Sequence, residues 1–588
     1  ESKFLPKEVT SKSWNDETVN RAYMKESEGL SIQSEQKITW IPRWGDNHSL
    51  LVSAVWQMNS GNSQYQEFEK YGLPSNSITD ATSVGFDKAF NSGAGQWRSL
   101  AIMGRAHYTF MNRYTIDATF RRDGSTKFGS NNRWGDFPAV SLKWNMADEL
   151  FMKPLRAVID ELGIRGGWGI TGNQPDREYL HFSRYNSSWG GGNNNYINIP
   201  TVKPSSIELS DLKWEKVTSY NLGIDLHLFN SKLVFDGNIY KRKTEDLLFK
   251  DLGIPSSSGF GSLSYVNIGV MDNTGWELSI YTNNLIKTRD WKVDFNVNFS
   301  NNKNKIVELS PAVLNAYNKD FNYDNGSYLT RLQEGNSFGS IYGFRYKGVY
   351  QYDKYEEGRG GTAPVVKDVN GNVVKDANGK PLPMYFDYFN LGNKRYQFRG
   401  GDAIYEDINH DGTIDELDIV YLGNSNPKLT GGFGTNITFK NFSISAFFNF
   451  RYGNKIVNYA RMDAENMHSN NNQSIAVNWR WRKDGDVTEM PRALYNYGYN
   501  YLGSDRFVED GSFLRFKTLT FKYNFSPKSL RRVFLNQLSF YLTLNNLVTF
   551  TKYTGVDPEV GIESFGLCAD RSKTPRSQYF TFGVTVGF

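Results

Sequence analysis

The chain has 588 residues, of which 15% are aromatic and 22% charged, with 54 glycines, a formal net charge of +5 and one cysteine, Cys568. These values exclude an intrachain disulfide framework. They offer no basic tract of the kind nucleic acid demands, and no apolar run near the ~18 residues of a spanning helix. Mean hydropathy is −0.56. That value does not separate a soluble β protein from a membrane barrel, because barrel strands alternate lipid-facing and lumen-facing residues.

In chain order, the clearest elements alternate with period two. Tyr114, Ile116, Ala118 and Phe120 interleave with Thr115, Asp117, Thr119 and Arg121. Tyr220 to Leu228 and Trp291 to Phe299 repeat the pattern, the latter with Lys292, Asp294, Asn296, Asn298 and Ser300 on the second face. Phe442–Phe450 and Leu538–Leu544 follow, and the chain ends on Phe580, Phe582, Val584, Val586 and Phe588. None of these apolar faces carries Asp, Glu, Lys or Arg. A cation at the midplane of a lipid-facing strand costs roughly 2–4 kcal/mol. Most of these runs are near the ~9–11 residues that a tilted strand needs to span a bilayer.

Short connections near Met111–Arg113, Asn230–Ser231, Ile286–Asp290 and Lys440–Asn441 alternate with long polar segments at 171–212, 301–338, 453–512 and 548–577. This is the layout of an all-β, antiparallel transmembrane barrel with short periplasmic turns and long extracellular loops. About fifteen strands are expected, against ~22 in a plugged transporter. Residues 339–350 also read as a strand. Either they cross the membrane with a partner hidden in 351–426, or 301–426 is one extracellular excursion.

Several segments carry a family resemblance. They are Arg122-Asp123-Gly124-Ser125-Thr126-Lys127-Phe128-Gly129 with Trp134 and Phe137-Pro138, then Ile170-Thr171-Gly172-Asn173-Gln174, and Leu212-Lys213-Trp214-Glu215-Lys216. Further on come Gly401-Asp402 through Asp411-Gly412, Ser512-Phe513-Leu514-Arg515, Leu544-Asn545-Asn546-Leu547 and Gly555-Val556-Asp557-Pro558-Glu559. Their order and spacing resemble the C-terminal portion of SusC-like (SusC/RagA) TonB-dependent transporters, from about residue 97 to the end.

The resemblance implies that residues 1–588 are barrel, with about 22 strands in the whole family barrel. The family's signal peptide, TonB box and plug are not recognisable in this chain. It implies an outer-membrane, multi-pass protein of the Bacteroidota that imports oligosaccharides or peptides. Its implied partners are the TonB complex, acting through a plug, and a SusD-like surface lipoprotein acting as a lid. Outer-membrane lipid would surround it, and nucleic acid is not expected. The rival readings are a passive porin complete in this chain and a soluble carbohydrate-binding β protein.

Among candidate sites, Asp407, Asn409, Asp411, Thr413, Asp415 and Asp418 sit at the oxygen-donor positions of a calcium loop, with Gly412 at the sharp turn. The expected role of Ca2+ is structural, with no catalytic cofactor. Trp189, Trp479, Trp481, Tyr495, Tyr497 and Tyr501 lie in long loops and offer ring faces to a substrate or partner. Trp97, Tyr114, Phe550 and Phe588 are expected in an interfacial aromatic girdle. Gly335-Asn336-Ser337-Phe338-Gly339 matches G-x-S-x-G, but no helix is expected after it, so it is read as a turn and no enzyme is expected.

Overall fold

The computed structural model describes all residues except 1, 9–18, 83, 189–200, 318–331, 388–394, 527–529, 531–533 and 564–565. Fifteen described strands have nine or more residues, matching the expected number. They are β1 (Asn20–Trp40), β2 (His48–Leu73), β3 (Phe86–Phe110), β4 (Tyr114–Ser125), β5 (Trp134–Asn145), β6 (Ile159–Asn173), β7 (Glu215–Leu228) and β8 (Leu233–Glu245). Then come β9 (Val270–Thr282), β10 (Trp291–Glu308), β11 (Leu429–Phe439), β12 (Phe442–Tyr452), β13 (Phe513–Asn524), β14 (Gln537–Thr551) and β15 (Tyr579–Gly587). The chain divides into two compact units, 1–144 with 167–219 and 244–268, and 145–166 with 220–243 and 269–588.

In the first unit β1 to β5 pair antiparallel in sequence order. Met111 and Asn112 both have positive φ, as the two central residues of a type I′ hairpin turn do, matching the twist of the flanking strands. Towards the short turns, even-numbered residues of β2 to β4 form one outward apolar face, on which Trp56, Met58, Ile102, Ile116 and Phe120 are all exposed. The opposite face is polar. Arg105 and His107 there bond the Asp117 carboxylate, with contacts of 2.5 and 2.9 Å. At the short-turn end, Trp40 meets Trp44 edge-on at 6.4 Å, and Tyr114 lies opposite Phe110 and Trp144. Tyr114, Phe550 and Phe588 are exposed on apolar faces, as a girdle requires. Trp97 is not part of it. Its odd register places it on the polar face, where its ring lies against Gly61.

In the second unit β9 to β15 pair antiparallel, β10 directly with β11. Trp291 lies opposite Phe439, although 309–428 intervene. This settles the reading of 339–350. Its two short strands, Ser340–Gly343 and Tyr346–Val349, pair with Val420–Asn424 and Ala403–Tyr405, outside the main ladder. Residues 309–428 therefore leave and return between neighbouring strands without a crossing among the described residues. The outward faces are again apolar, with Phe580 74% and Phe582 64% exposed. Phe433, Phe448 and Phe516 stack across three strands at 5.0 and 4.3 Å. Water-soluble proteins rarely expose contiguous apolar surface on this scale; lipid accommodates it.

Candidate functional site in the extracellular loops

The long excursions of the second unit fold into a layer with its own core. Tyr342, Phe344, Tyr350, Phe386, Phe398, Tyr405 and Ile414 are buried together with Leu502 from the later excursion. Ile341, Val457, Met462, Phe507 and Ala569 form a second cluster. Burial of these side chains fixes the loops relative to one another, each large side chain contributing about 1.5–3 kcal/mol.

Two buried ion pairs lock the layer. Asp402 is fully buried and accepts from Arg492 Nε at 2.7 Å, from Tyr396 Oη at 2.7 Å and from the Arg399 N–H at 2.7 Å. Burial and the adjacent Asp402 carboxylate hold the Tyr396 phenol well above its ordinary range, so it stays a donor. The preceding Gly401 has φ +84°, and a Cβ there would meet the Trp481 ring at 2.3 Å. Arg515 is 2% exposed. It donates to Asp557 at 2.6 Å, Glu559 at 2.8 Å and Thr549 Oγ1 at 2.9 Å. The Ser512–Arg515 and Gly555–Glu559 motifs thus meet in one buried contact.

Beside this core runs a groove of 860 Å³, lined by Tyr346, Lys347, Arg461, Glu465, Trp479 and Arg506 among others. Glu465 binds Arg461 at 2.9 Å and Arg506 at 2.7 Å, and Arg461 also holds Glu509 at 2.9 Å. Arg506 stacks over Tyr346 at 5.1 Å. Burial pushes the Tyr346 phenol up to about 12, and its hydroxyl donates to the Glu489 carbonyl at 2.5 Å. Trp479 is 66% exposed at the groove. The groove offers an aromatic face beside charges of both signs, a chemistry suited to hydroxyl-rich or zwitterionic ligands.

The expected aromatic residues separate by exposure. Trp479, Tyr495 and Tyr497 are exposed. Tyr501 is buried against His468 at 4.4 Å, and Trp481 donates its indole N–H to the Gln351 carbonyl at 3.1 Å. These last two are internal packing. Trp189 lies outside the described residues. Sequence reasoning missed the Arg461–Glu465–Arg506–Glu509 network. Its one local signal was Arg461 and Glu465 at i and i+4 in the short helix Tyr459–Glu465.

The acidic loop folds as a tight turn. The Gly412 N–H donates to Asp407 Oδ2 at 2.9 Å, and the Thr413 N–H to Asp411 Oδ1 at 2.8 Å. Asp418 is fully buried and accepts from the N–H groups of Ile408 and Asp415 at 2.7 and 2.9 Å. Asp415 caps the following turn through the Leu417 N–H at 2.7 Å. Burial raises the carboxyls of Asp407 and Asp415, and that of Asp418 to about 6. Among the described residues, no three His, Cys, Asp or Glu side chains already converge on a metal position. Asp407 Oδ1 is buried without a hydrogen-bond partner. Ser337 of the G-x-S-x-G match precedes the strand Ser340–Gly343, not a helix.

In the first unit the motif residues again meet. Phe128, Phe137, Trp214 and Tyr265 share a buried cluster, with Trp214 at 4.8 Å from Phe128 and 5.5 Å from Phe137. Asn173 donates to Glu215 at 3.3 Å.

Antiparallel strands with outward apolar faces, polar opposite faces and folded loops at one end define an outer-membrane β-barrel protein. Residues 8–409 match the family described as TonB dependent receptor-like, beta-barrel, and the chain belongs to that family. TonB-dependent receptor P39 of Formosa agariphila is 30% identical over 566 residues, 93% of this chain and 50% of that protein. TonB-dependent receptor SusC of Bacteroides thetaiotaomicron is 28% identical over 498 residues, 83% of this chain and 44% of that protein. The RagAB peptide importer in its closed-closed state shares the fold, with TM-score 0.73 and 23% identity over 97% of this chain and 56% of that one. Within the family the chain is thus of the SusC/RagA-like type, and it spans about half the length of the curated relatives it matches.

Proposed function

We propose that this chain is the barrel portion of a TonB-dependent importer that takes up oligosaccharides or peptides, with a SusD-like surface lipoprotein closing over its loop layer. The observation that carries the reading is the groove bearing Trp479, Arg461, Glu465 and Arg506 in a loop layer with its own core. A rigid extracellular platform suits capture and docking, because ordering costs are met before the ligand arrives. The reading assigns no catalytic residue and no enzyme activity. Energy would come from the TonB complex acting on a plug. The test is native mass spectrometry of the protein purified from outer membranes, offered separate oligosaccharide and peptide mixtures. Retention of one class supports the reading, and retention of neither contradicts it.

A calcium ion at the acidic loop would stiffen the platform. Asp407, Asn409, Asp411 and Asp418 would supply side-chain oxygens, with the Thr413 carbonyl and Asp415 completing the set. The partnerless Asp407 Oδ1 is the observation that favours a cation there. The ion would offset the repulsion among these carboxylates and supply no chemistry. Calcium should protect 400–420 from protease; identical cleavage with and without chelator would sink the assignment.

A further inference from the structure

The outward, lipid-facing surface of β1 to β5 is not uniformly filled. Along one row Met58 faces Leu100, Leu100 faces Gly124, and Gly124 faces Trp134. In the next row towards the extracellular side, Ile32 faces Ser60 and Ser60 faces Arg98. The small residues Ser34, Ser60 and Gly124 leave a trough of 590 Å³, lined also by Ile32, Trp56, Met58, Leu100 and Trp134. Gly124 is required for its shape, since a Cβ there would lie 2.7 Å from the Trp134 ring. The volume falls within the ~300–1,000 Å³ of ordinary ligand sites.

The trough sits where the outward rows change character. Towards the short turns they are apolar, with Trp56, Ile102, Ile116 and Phe120, and the first outward charges, Arg122 and Asp136, stand in the row beside Ile102; beyond the trough the rows continue through Arg98, Gln96, Asn62, Gln64 and Glu28. The short turns at 41–47 and 111–113 lie at the far end of the same strands. The trough therefore marks the extracellular headgroup level, where an outward cation costs only about 0–1 kcal/mol. Arg98 and Arg133 both line it. Among the described residues no ion pair involves the Arg98 side chain, the hydrogen bond to Thr126 Oγ1 being made by its backbone N–H, and the Nε of Arg133 is buried without a hydrogen-bond partner. Arg122 lies 5.7 Å over the Trp134 ring but is ion-paired with Asp136 at 3.6 Å, which leaves Arg98 and Arg133 as the cations of the site.

We infer that this trough is a binding site for a phosphorylated, acylated lipid of the outer leaflet. One acyl chain lies along Leu100 between Trp56 and Trp134, and the phosphate is held by Arg98 with Arg133. An apolar slot alone would take any hydrocarbon. The arginines at its mouth select an anionic headgroup, because guanidinium binds phosphate oxygens through paired, charge-assisted hydrogen bonds.

The test is native mass spectrometry of the protein purified from outer membranes and stripped of lipid in non-ionic detergent. Dioleoyl phosphatidic acid and dioleoyl phosphatidylcholine, with identical chains, are titrated separately. One phosphatidic acid per chain should be retained, at about tenfold lower concentration than the zwitterionic lipid, whose phosphate carries less charge and whose choline cation is repelled by the two arginines that the phosphatidic acid monoester binds. Arg98→Gln should erase that preference. Leu100→Trp should fill the slot and remove retention of both lipids, whereas Val584→Trp, on the outward face of β15, should change neither. Folding of each variant is checked by its heat-dependent mobility shift. Equal retention of the two lipids, or an unchanged preference in folded Arg98→Gln, would overturn the inference and leave annular lipid only.

Discussion

Val297 and Asn296 are neighbours on β10 that point to opposite faces, so arginine at each tests the membrane assignment directly. Val297 is flanked on the outward face by Ile280 of β9 and Phe433 of β11. It lies six residues from Trp291, which with Phe439 marks the short-turn interface at 4.5 Å between ring centres. Six residues span about 20 Å along a strand, or about 15 Å of depth at a ~40° tilt. That is close to the middle of an apolar band ~25 Å tall, where an arginine costs roughly 2–4 kcal/mol. Val297→Arg should therefore lower the folding equilibrium constant about thirtyfold or more, since each 1.4 kcal/mol is a factor of ten. Asn296→Arg, on the polar face beside Gly434 and Tyr281, should leave assembly close to wild type. The assay is the heat-dependent gel shift of the outer-membrane fraction. Equal tolerance of both variants, or equal failure of both, would refute the facing of the strands.

Arg515→Ala should destabilise the packing of 552–577 by about 3–5 kcal/mol, because it strands the Asp557 and Glu559 carboxylates without their buried cation; limited proteolysis should show early cleavage there. Asp407→Asn should make cleavage within 400–420 indifferent to calcium while the wild type remains calcium-protected. Trp479→Ala should weaken ligand capture about threefold to tenfold, the loss of one aromatic contact, measured by retained ligand mass. Trp481→Ala should instead loosen the loop around Gly401, seen as faster amide exchange at 399–403, because its ring packs there rather than facing ligand.

The stretches whose outward residues alternate strictly, Tyr114–Phe120 of β4, Trp291–Phe299 of β10 and Phe580–Val586 of β15, are legible because within them each outward residue is apolar and each inward one small or polar. β13 was harder to read. A bulge between Phe516 and Thr518 moves the outward set from Leu514 and Phe516 to Leu519, Phe521 and Tyr523. β1 to β3 run 21, 26 and 25 residues, far beyond a membrane crossing, and their outward rows turn polar past Leu30 and Met58. Alternation of hydropathy fades there while the strand continues. The loop core was illegible for a different reason. Phe344, Phe386, Phe398 and Leu502 are far apart in sequence and meet only in the folded layer. Trp97, Trp481 and Tyr501 show the same limit: residue type suggested a girdle or a binding face, and register or burial assigned them to packing. Asp402, Arg515 and Trp214, first noticed as marks of resemblance, hold loops together through buried contacts.

The most direct test of the central claim is a pull-down from outer membranes in mild detergent, with this chain as bait and intact-mass analysis of what is retained. Barrel-importer assembly predicts co-purification of a plug-bearing segment, in the same polypeptide or beside it, and of a surface lipoprotein. Recovery of the chain alone, with open ion conductance in a planar bilayer, would contradict the importer account and favour a passive pore.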